Sequence, residues 1–164
     1  MFVRKLTEVD IGAVMEVQEE AYLPALLETP STFLRKMAIF SEGAAGCFQD
    51  RLLAGYIFCH PWTAGVPAPL SADDLSLPRN PDTMYLHDLA VRPSCRGKGA
   101  ADLLLDAALE RARERSFDTA TLVAVQGAER FWGKHGFVKI KDLDYGPGVA
   151  AVLMIRELDR YSRR

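Results

Sequence analysis

Two stretches and one tyrosine in this chain have the residue types and spacing to do chemistry. The first stretch is YLHDLAV, residues 85–91. It holds His87, whose ordinary pKa of about 6.5 suits proton acceptance near neutrality. Strict strand alternation puts Tyr85, His87, Leu89 and Val91 on one face and Met84, Leu86, Asp88 and Ala90 on the other. A His87–Asp88 dyad is therefore not expected, although a bulge would reset the alternation. The second stretch is RGKGAA, Arg96 to Ala101, which runs into the Leu/Ala periodicity of a helix. Gly97 and Gly99 allow backbone angles that other residues avoid. The helix start offers free N–H groups and the positive end of its dipole, and Arg96 and Lys98 add charge. Together these describe a pyrophosphate cradle built mainly from backbone amides. Tyr145, in DYGPG, is a candidate proton donor, its phenol titrating near 10.

Other phosphate motifs fit less well. A Walker A loop needs Lys and Ser or Thr after its last glycine, whereas Gly99 is followed by alanine. The Rossmann spacing from Gly97 and Gly99 ends on Asp102, which repels phosphate if it faces inward. No histidine, cysteine and carboxylate constellation suggests a metal.

The elements that must position these groups can be read from periodicity. Phe2 to Leu6 reads as a strand. Thr7 is a candidate N-cap before a helix with Ile11, Val14, Met15 and Gln18 on one stripe. A second short helix follows a candidate cap at Ser31. Ala45–Gln49 and Leu52–His60 read as a hairpin. Residues 61–82 form a proline-rich irregular segment, long enough to suggest a rim or lid. Then come a strand over Thr83–Val91, a helix over Gly99–Arg115 and a strand over Thr119–Val125. A short helix over Ala128–Lys134 precedes strands over Phe137–Ile140 and Val149–Ile155. This order implies an α/β fold, one mixed sheet flanked by helices, in a single domain over 1–164.

The chain has 164 residues, 49% hydrophobic and 26% charged, with net charge -2. That is a globular composition with no basic excess, so neither nucleic acid nor an anionic membrane is an expected partner. No apolar run reaches membrane-spanning length, and the N-terminus lacks a signal-peptide core. Cys47, Cys59 and Cys95 are odd in number and show no C-x-x-C spacing. A reducing cytoplasm is the expected setting. Cys95, on the basic turn, is a candidate reactive thiol.

Leu89-Ala90-Val91 followed by Arg96-Gly97-Lys98-Gly99-Ala100-Ala101 resembles the cofactor motif of the GCN5-related N-acetyltransferase (GNAT) superfamily, a strand ending L-x-V, then [RQ]-x-x-G-x-[GA] and a helix. AERFWGKHGF resembles the later helix–turn–strand of that family, with its Gly136-Phe137 pair. The resemblance implies the acyl-CoA N-acyltransferase fold and acetyl-CoA as acyl donor. It implies that Leu89, Ala90 and Val91 flank the pantetheine arm, and that the amides of Arg96, Gly97, Lys98, Gly99, Ala100 and Ala101 hold the pyrophosphate. The central strand is closest to arylalkylamine N-acetyltransferases. There a strand histidine before L-A-V joins a proton relay to water. His87 matches it, and Tyr85 stands where that group has an earlier histidine. Many members place a tyrosine near the cofactor sulfur in the late helix. Trp132 occupies that position and is no acid, so it is expected to pack on the cofactor arm, leaving Tyr145 as the candidate acid.

The expected reaction is direct acetyl transfer to a primary amine of a small molecule in a ternary complex. Tyr22, Phe33, Phe40 and Trp62 are candidate walls for the acceptor, and Glu28, Asp73 and Asp74 candidate attractors for its charge. A peptide or protein acceptor is the alternative, as is an acyl-CoA sensor with little turnover. A homodimer is compatible with the resemblance.

Overall fold

A computed structural model describes residues 1–145 and 148–159. Strands β1 (Phe2–Lys5), β2 (Ala44–Gln49), β3 (Leu52–Trp62), β4 (Thr83–Val91), β5 (Thr119–Val125), β6 (Val138–Asp144) and β7 (Ala150–Glu157) form one sheet. Its order is β1-β2-β3-β4-β5-β7-β6. Only β4 and β5 run parallel, which is the expected result of joining them through a helix. Helices α1 (Ile11–Ala21) and α2 (Pro30–Ile39) cover one face; α3 (Ala100–Glu114) and α4 (Glu129–Lys134) cover the other.

Each element follows from its residues. Thr7 and Asp10 form a reciprocal capping box, with Asp10 in the role that Glu usually fills. The apolar stripe of α1 buries Ile11, Val14 and Val17 against β3 and β4. Burying each such side chain contributes about 1.5–3 kcal/mol. The cap of α2 is Thr29, two residues earlier than Ser31. Its hydroxyl accepts from Thr32 N–H, and Pro30 takes the first helical position, where a missing N–H costs nothing. In α3, Leu104, Leu105, Ala108, Leu109 and Ala112 face the sheet.

Two departures from the expected pattern shape the centre of the sheet. First, the register between β3 and β4 shifts between Phe58↔Asp88 and Cys59↔Leu86, so His87 is an extra residue in β4. Met84, Leu86, Leu89 and Val91 consequently pack on the α3 side. Tyr85, His87, Asp88 and Ala90 lie on the α1/α2 side. The expected split of His87 from Asp88 is thus overturned: the bulge puts both on one face. Second, β4 and β5 pair only from Met84↔Ala120 to Leu86↔Leu122. Beyond Leu86 the two strands diverge and leave a gap.

Gly55 holds β3 close to the end of β4. A Cβ there would stand 2.6 Å from the Ala90 carbonyl oxygen and 3.0 Å from Val91 Cγ2. Backbone paired on both sides cannot step aside. Gly55→Ala is therefore expected to destabilise the fold by about 1–3 kcal/mol, read as a lower midpoint in urea unfolding.

Candidate active site

A cavity of about 630 Å³ opens at the divergence of β4 and β5. One end is the glycine turn. Gly97 and Gly99 have φ of +72° and +85°, and a Cβ on either would meet nothing within 4 Å. Glycine is needed there for backbone conformation, and the space beside it is open to a ligand. α3 starts on Gly99 with no side-chain cap, which leaves its leading amides to solvent or an anion. Asp102 pairs with His135 at 3.2 Å, which draws it toward a partner outside the turn. Arg96, Ala100 and Ala101 line this end, and Arg96 Nε donates to the Val91 carbonyl at 3.2 Å. Lys98 instead donates to the Ser94 carbonyl at 3.0 Å and is exposed outside the cavity lining. Cys95 is 3% exposed and packs in the core, at the edge of the cavity lining.

The middle of the cavity is bounded by Leu89, Ala90 and Val91 on β4 and by Val123 and Val125 on β5. Trp132 closes it from α4, edge-on to Phe131 and Phe137. The Leu89 carbonyl already accepts the Tyr22 hydroxyl at 2.8 Å.

The far end holds the titratable groups. His60, on β3, donates or accepts at both ring nitrogens: Nδ1 is 3.1 Å from the Pro61 carbonyl and Nε2 is 2.9 Å from His87 Nδ1. A carbonyl can only accept, so His60 carries its proton on Nδ1 when neutral. Its Nε2 then accepts, His87 Nδ1–H donates, and His87 Nε2 is left with a lone pair. That Nε2 is buried and has no hydrogen-bond partner among the described residues. Burial pushes His60 down to about 4 and, with Lys36 and His60 nearby, holds His87 well below the ordinary histidine value. Both rings are therefore neutral at pH 7, and the expectation that His87 keeps an ordinary value near 6.5 is corrected: burial makes it a weaker base than a free imidazole. The two can share a proton, but the line ends at the Pro61 carbonyl and not at a group that can release it. Tyr85 is no histidine, and the second imidazole beside His87 is His60, from the neighbouring strand.

Asp88 accepts from Tyr56 at 2.9 Å, and its Oδ1 lies 2.6 Å from the Tyr22 hydroxyl, whose single proton it shares with the Leu89 carbonyl. Burial lifts Asp88 to about 6, with Lys36 and the two hydroxyls opposing. Glu28 faces the same chamber; its carboxylate binds Lys36 and accepts Ser71 N–H at 2.9 Å. Tyr145 lines the chamber beside Tyr85 and is held above the ordinary phenol value by burial, so it stays protonated.

Of the candidate acceptor walls, Tyr22 and Glu28 reach the cavity. Phe33 is core, and Phe40 packs against the core under Arg115. Trp62 bonds the Val66 carbonyl at 3.1 Å, and Asp73 accepts from Ser31 and Thr32, tying residues 61–82 to α2. Leu26 and Leu70 are the walls that sequence did not single out. His60 was likewise missed as a partner. Its parity with Tyr56 and Phe58 in β3 was visible, but which strand it faces was not.

Among the described residues no helix is long and apolar enough to cross a membrane, and no cluster could hold a metal ion. The chain matches the acetyltransferase (GNAT) family over residues 13–137. No curated protein matches it. Among solved structures, it is similar to Ard1 from Thermoplasma volcanium, with 20% identity, TM-score 0.77 and coverage of 97% of this chain and 98% of that one. It is similar to the GphF GNAT-like decarboxylase solved with isobutyryl-CoA, at 16% identity and TM-score 0.79, covering 97% and 100%. The ribosomal-protein-S18-alanine N-acetyltransferase from Escherichia coli gives 16% identity and TM-score 0.72, covering 99% and 97%. At these identities the likeness speaks for the fold alone. With the family match spanning most of the chain, the conclusion is plain: this protein belongs to the GNAT acetyltransferase family.

Proposed function

We propose that the protein, as one domain over 1–164, transfers the acetyl group of acetyl-CoA to the primary amine of a small molecule. The observation that carries this reading is the free lone pair of His87 Nε2, buried in the wall of a cavity that begins at an uncapped, glycine-led helix start. The amides of residues 96–101 would hold the pyrophosphate, and Leu89, Ala90, Val91 and Trp132 would flank the pantetheine arm. Coenzyme A supplies a thioester, whose carbonyl carbon is the electrophile.

The chain's own residues would handle the protons. An alkylamine arrives mostly as ammonium. His87 Nε2 takes its proton, and the amine nitrogen attacks the carbonyl carbon. The C–S bond then breaks, the Tyr145 hydroxyl donates to the departing thiolate, the surplus proton on the acylated nitrogen passes to the Tyr145 phenolate, and His87 returns its proton to solvent as the products leave the open cavity. Asp88, ionised above about 6, lines the same chamber. This carboxylate also favours a cationic acceptor. Ala68 and Leu75 are buried in the 61–82 segment, and Leu70 and Glu28 wall the chamber, so the space suits a small molecule better than an extended peptide. A cytoplasmic setting accords with three unpaired cysteines.

The test is thiol release from acetyl-CoA against arylalkylamines, polyamines, aminoglycosides and a lysine peptide, with mass detection of product. Amine-dependent release with a small amine is expected. Preference for the peptide would overturn the acceptor class, and coenzyme A binding without release to any amine would favour a sensor.

Three variants probe the roles. His87→Ala is expected to lower kcat/KM for the amine by about 10²–10⁴-fold, with a much smaller change in coenzyme A affinity by calorimetry. Equal losses in both would mean structural damage. Tyr145→Phe is expected to slow single-turnover transfer; an unchanged rate removes it as the acid.

The third concerns Asp88, whose folded pKa is raised from 3.8 to about 6. A raised carboxyl stabilises fully below the unfolded pKa, and that stability is lost as pH rises through the folded one. Asp88→Asn removes this dependence. Relative to the variant, the unaltered protein should lose about 2 kcal/mol between about pH 4 and pH 7 in urea unfolding. Taking the difference between the two proteins cancels His60, which titrates in the same window with the opposite sign. A flat difference would show that Asp88 is not raised.

A further inference from the structure

Residues 21–23 leave the end of α1 and cross the gap between β4 and β5. On the β4 side, the Tyr22 hydroxyl lies 2.6 Å from Asp88 Oδ1 and 2.8 Å from the Leu89 carbonyl oxygen. On the β5 side, one side chain makes both contacts. Gln126 Oε1 accepts Leu23 N–H at 2.7 Å, and Gln126 Nε2 donates to the Ala21 carbonyl at 3.2 Å. Gln126 thereby satisfies two backbone groups at the frayed end of α1, more than 100 residues away in sequence. It does so from φ 53°, a left-handed conformation unfavourable for a non-glycine residue. Ala21, Tyr22 and Gln126 all line the cavity together with Leu89 and Val125. The segment is thus a bridge over the gap, anchored on both diverging strands.

We propose that Gln126 is a positioning residue that latches this bridge over the acyl-CoA arm, so that coenzyme A is released only as the latch opens. The proposal rests on the acyl-CoA reading above. The groove between β4 and β5 is where that arm would lie, and the bridge is tied to both of its walls, by the Tyr22 hydroxyl on the β4 side and by its Ala21 and Leu23 backbone to Gln126 after β5. Gln126 itself carries no chemistry. Its two bonds go to the bridge, so its loss changes how long the arm is retained and not how a proton moves.

Two variants remove the same contact from opposite sides. Gln126→Ala deletes both bonds. Leu23→Pro removes the N–H that Gln126 accepts. Leu23 has φ -64° and ψ 148°, and Tyr22 before it is extended, so the backbone accepts proline, whose Cδ takes the place of the N–H and pushes the Gln126 amide off the bridge. The Leu23 side chain is 52% exposed, so little packing is lost.

The measurement is the coenzyme A dissociation rate by stopped-flow displacement, with unfolding midpoints as a check on the fold. Gln126→Ala should release coenzyme A about tenfold faster, the effect of losing roughly 1.4 kcal/mol across two hydrogen bonds. Leu23→Pro should give a similar increase, and the double variant should release no faster than Gln126→Ala alone, because the two share one interaction. Should Gln126→Ala not fold, Leu23→Pro alone decides. Dissociation within twofold of the unaltered protein in the folded variants overturns the latch, as do effects that multiply in the double variant. Failure of the unaltered protein to bind coenzyme A overturns the acyl-CoA reading and the latch with it. Binding with unchanged dissociation overturns only the latch.

Discussion

The extra residue that β4 carries at His87 controls the rest of the site. A bulge bends a strand and sharpens its twist, and here pairing with β5 ends one residue earlier, at Leu86. The same irregularity does two things. It opens a gap between two parallel strands in the middle of a sheet, where backbone groups would otherwise be consumed by the ladder. It also turns His87 and Asp88 to one face, so an imidazole and a carboxylate share the wall of one chamber. Without the bulge the sheet would close and the pair would separate.

Around that irregularity the protein keeps polar groups in a setting that opposes their charge. His60 and His87 are neutral because burial makes the imidazolium unfavourable, and the Pro61 carbonyl decides which nitrogen keeps the proton. Asp88 is raised by the same burial but retains two phenol donors. Glu28 is balanced by Lys36. Such an arrangement adds little to stability, since buried polar groups at best offset their own desolvation. Its organisation makes physical sense as a site that handles a proton and a cation.

The opposite end of the cavity depends on backbone rather than side chains. Gly97 and Gly99 take left-handed angles, α3 begins uncapped, and no side chain occupies the space beside the turn. Tyr22 and Gln126 connect the two ends by fastening the close of α1 across the gap. The glycine turn, the gap and the chamber are therefore one continuous space shaped by three interactions of different kinds.

The element order, most strand and helix bounds and the glycine turn were legible in the sequence, because each rests on local rules: alternation over Thr83–Val91, the Leu/Ala stripe of α3, and glycines before a helix. The place of His87 on β4, two residues before Leu89-Ala90-Val91, was legible as a local pattern. Where local rules ran out, the reading failed in physical ways. Asp88 was assigned to the wrong face because alternation says nothing about where a strand gains a residue. Cys95 looked reactive beside two basic residues, yet its side chain turns into the core. Phe33 and Trp62 looked like acceptor walls, but apolar residues do not say which cavity they line. His60 and Gln126 act only through partners on distant segments, His87 at a separation of 27 residues and Leu23 at 103. The sequence by itself determined the fold and the turn, through short-range periodicity and backbone freedom. The tertiary structure alone decided which imidazole meets which, which tautomer they hold, and what spans the gap, because register and packing between distant strands set those contacts.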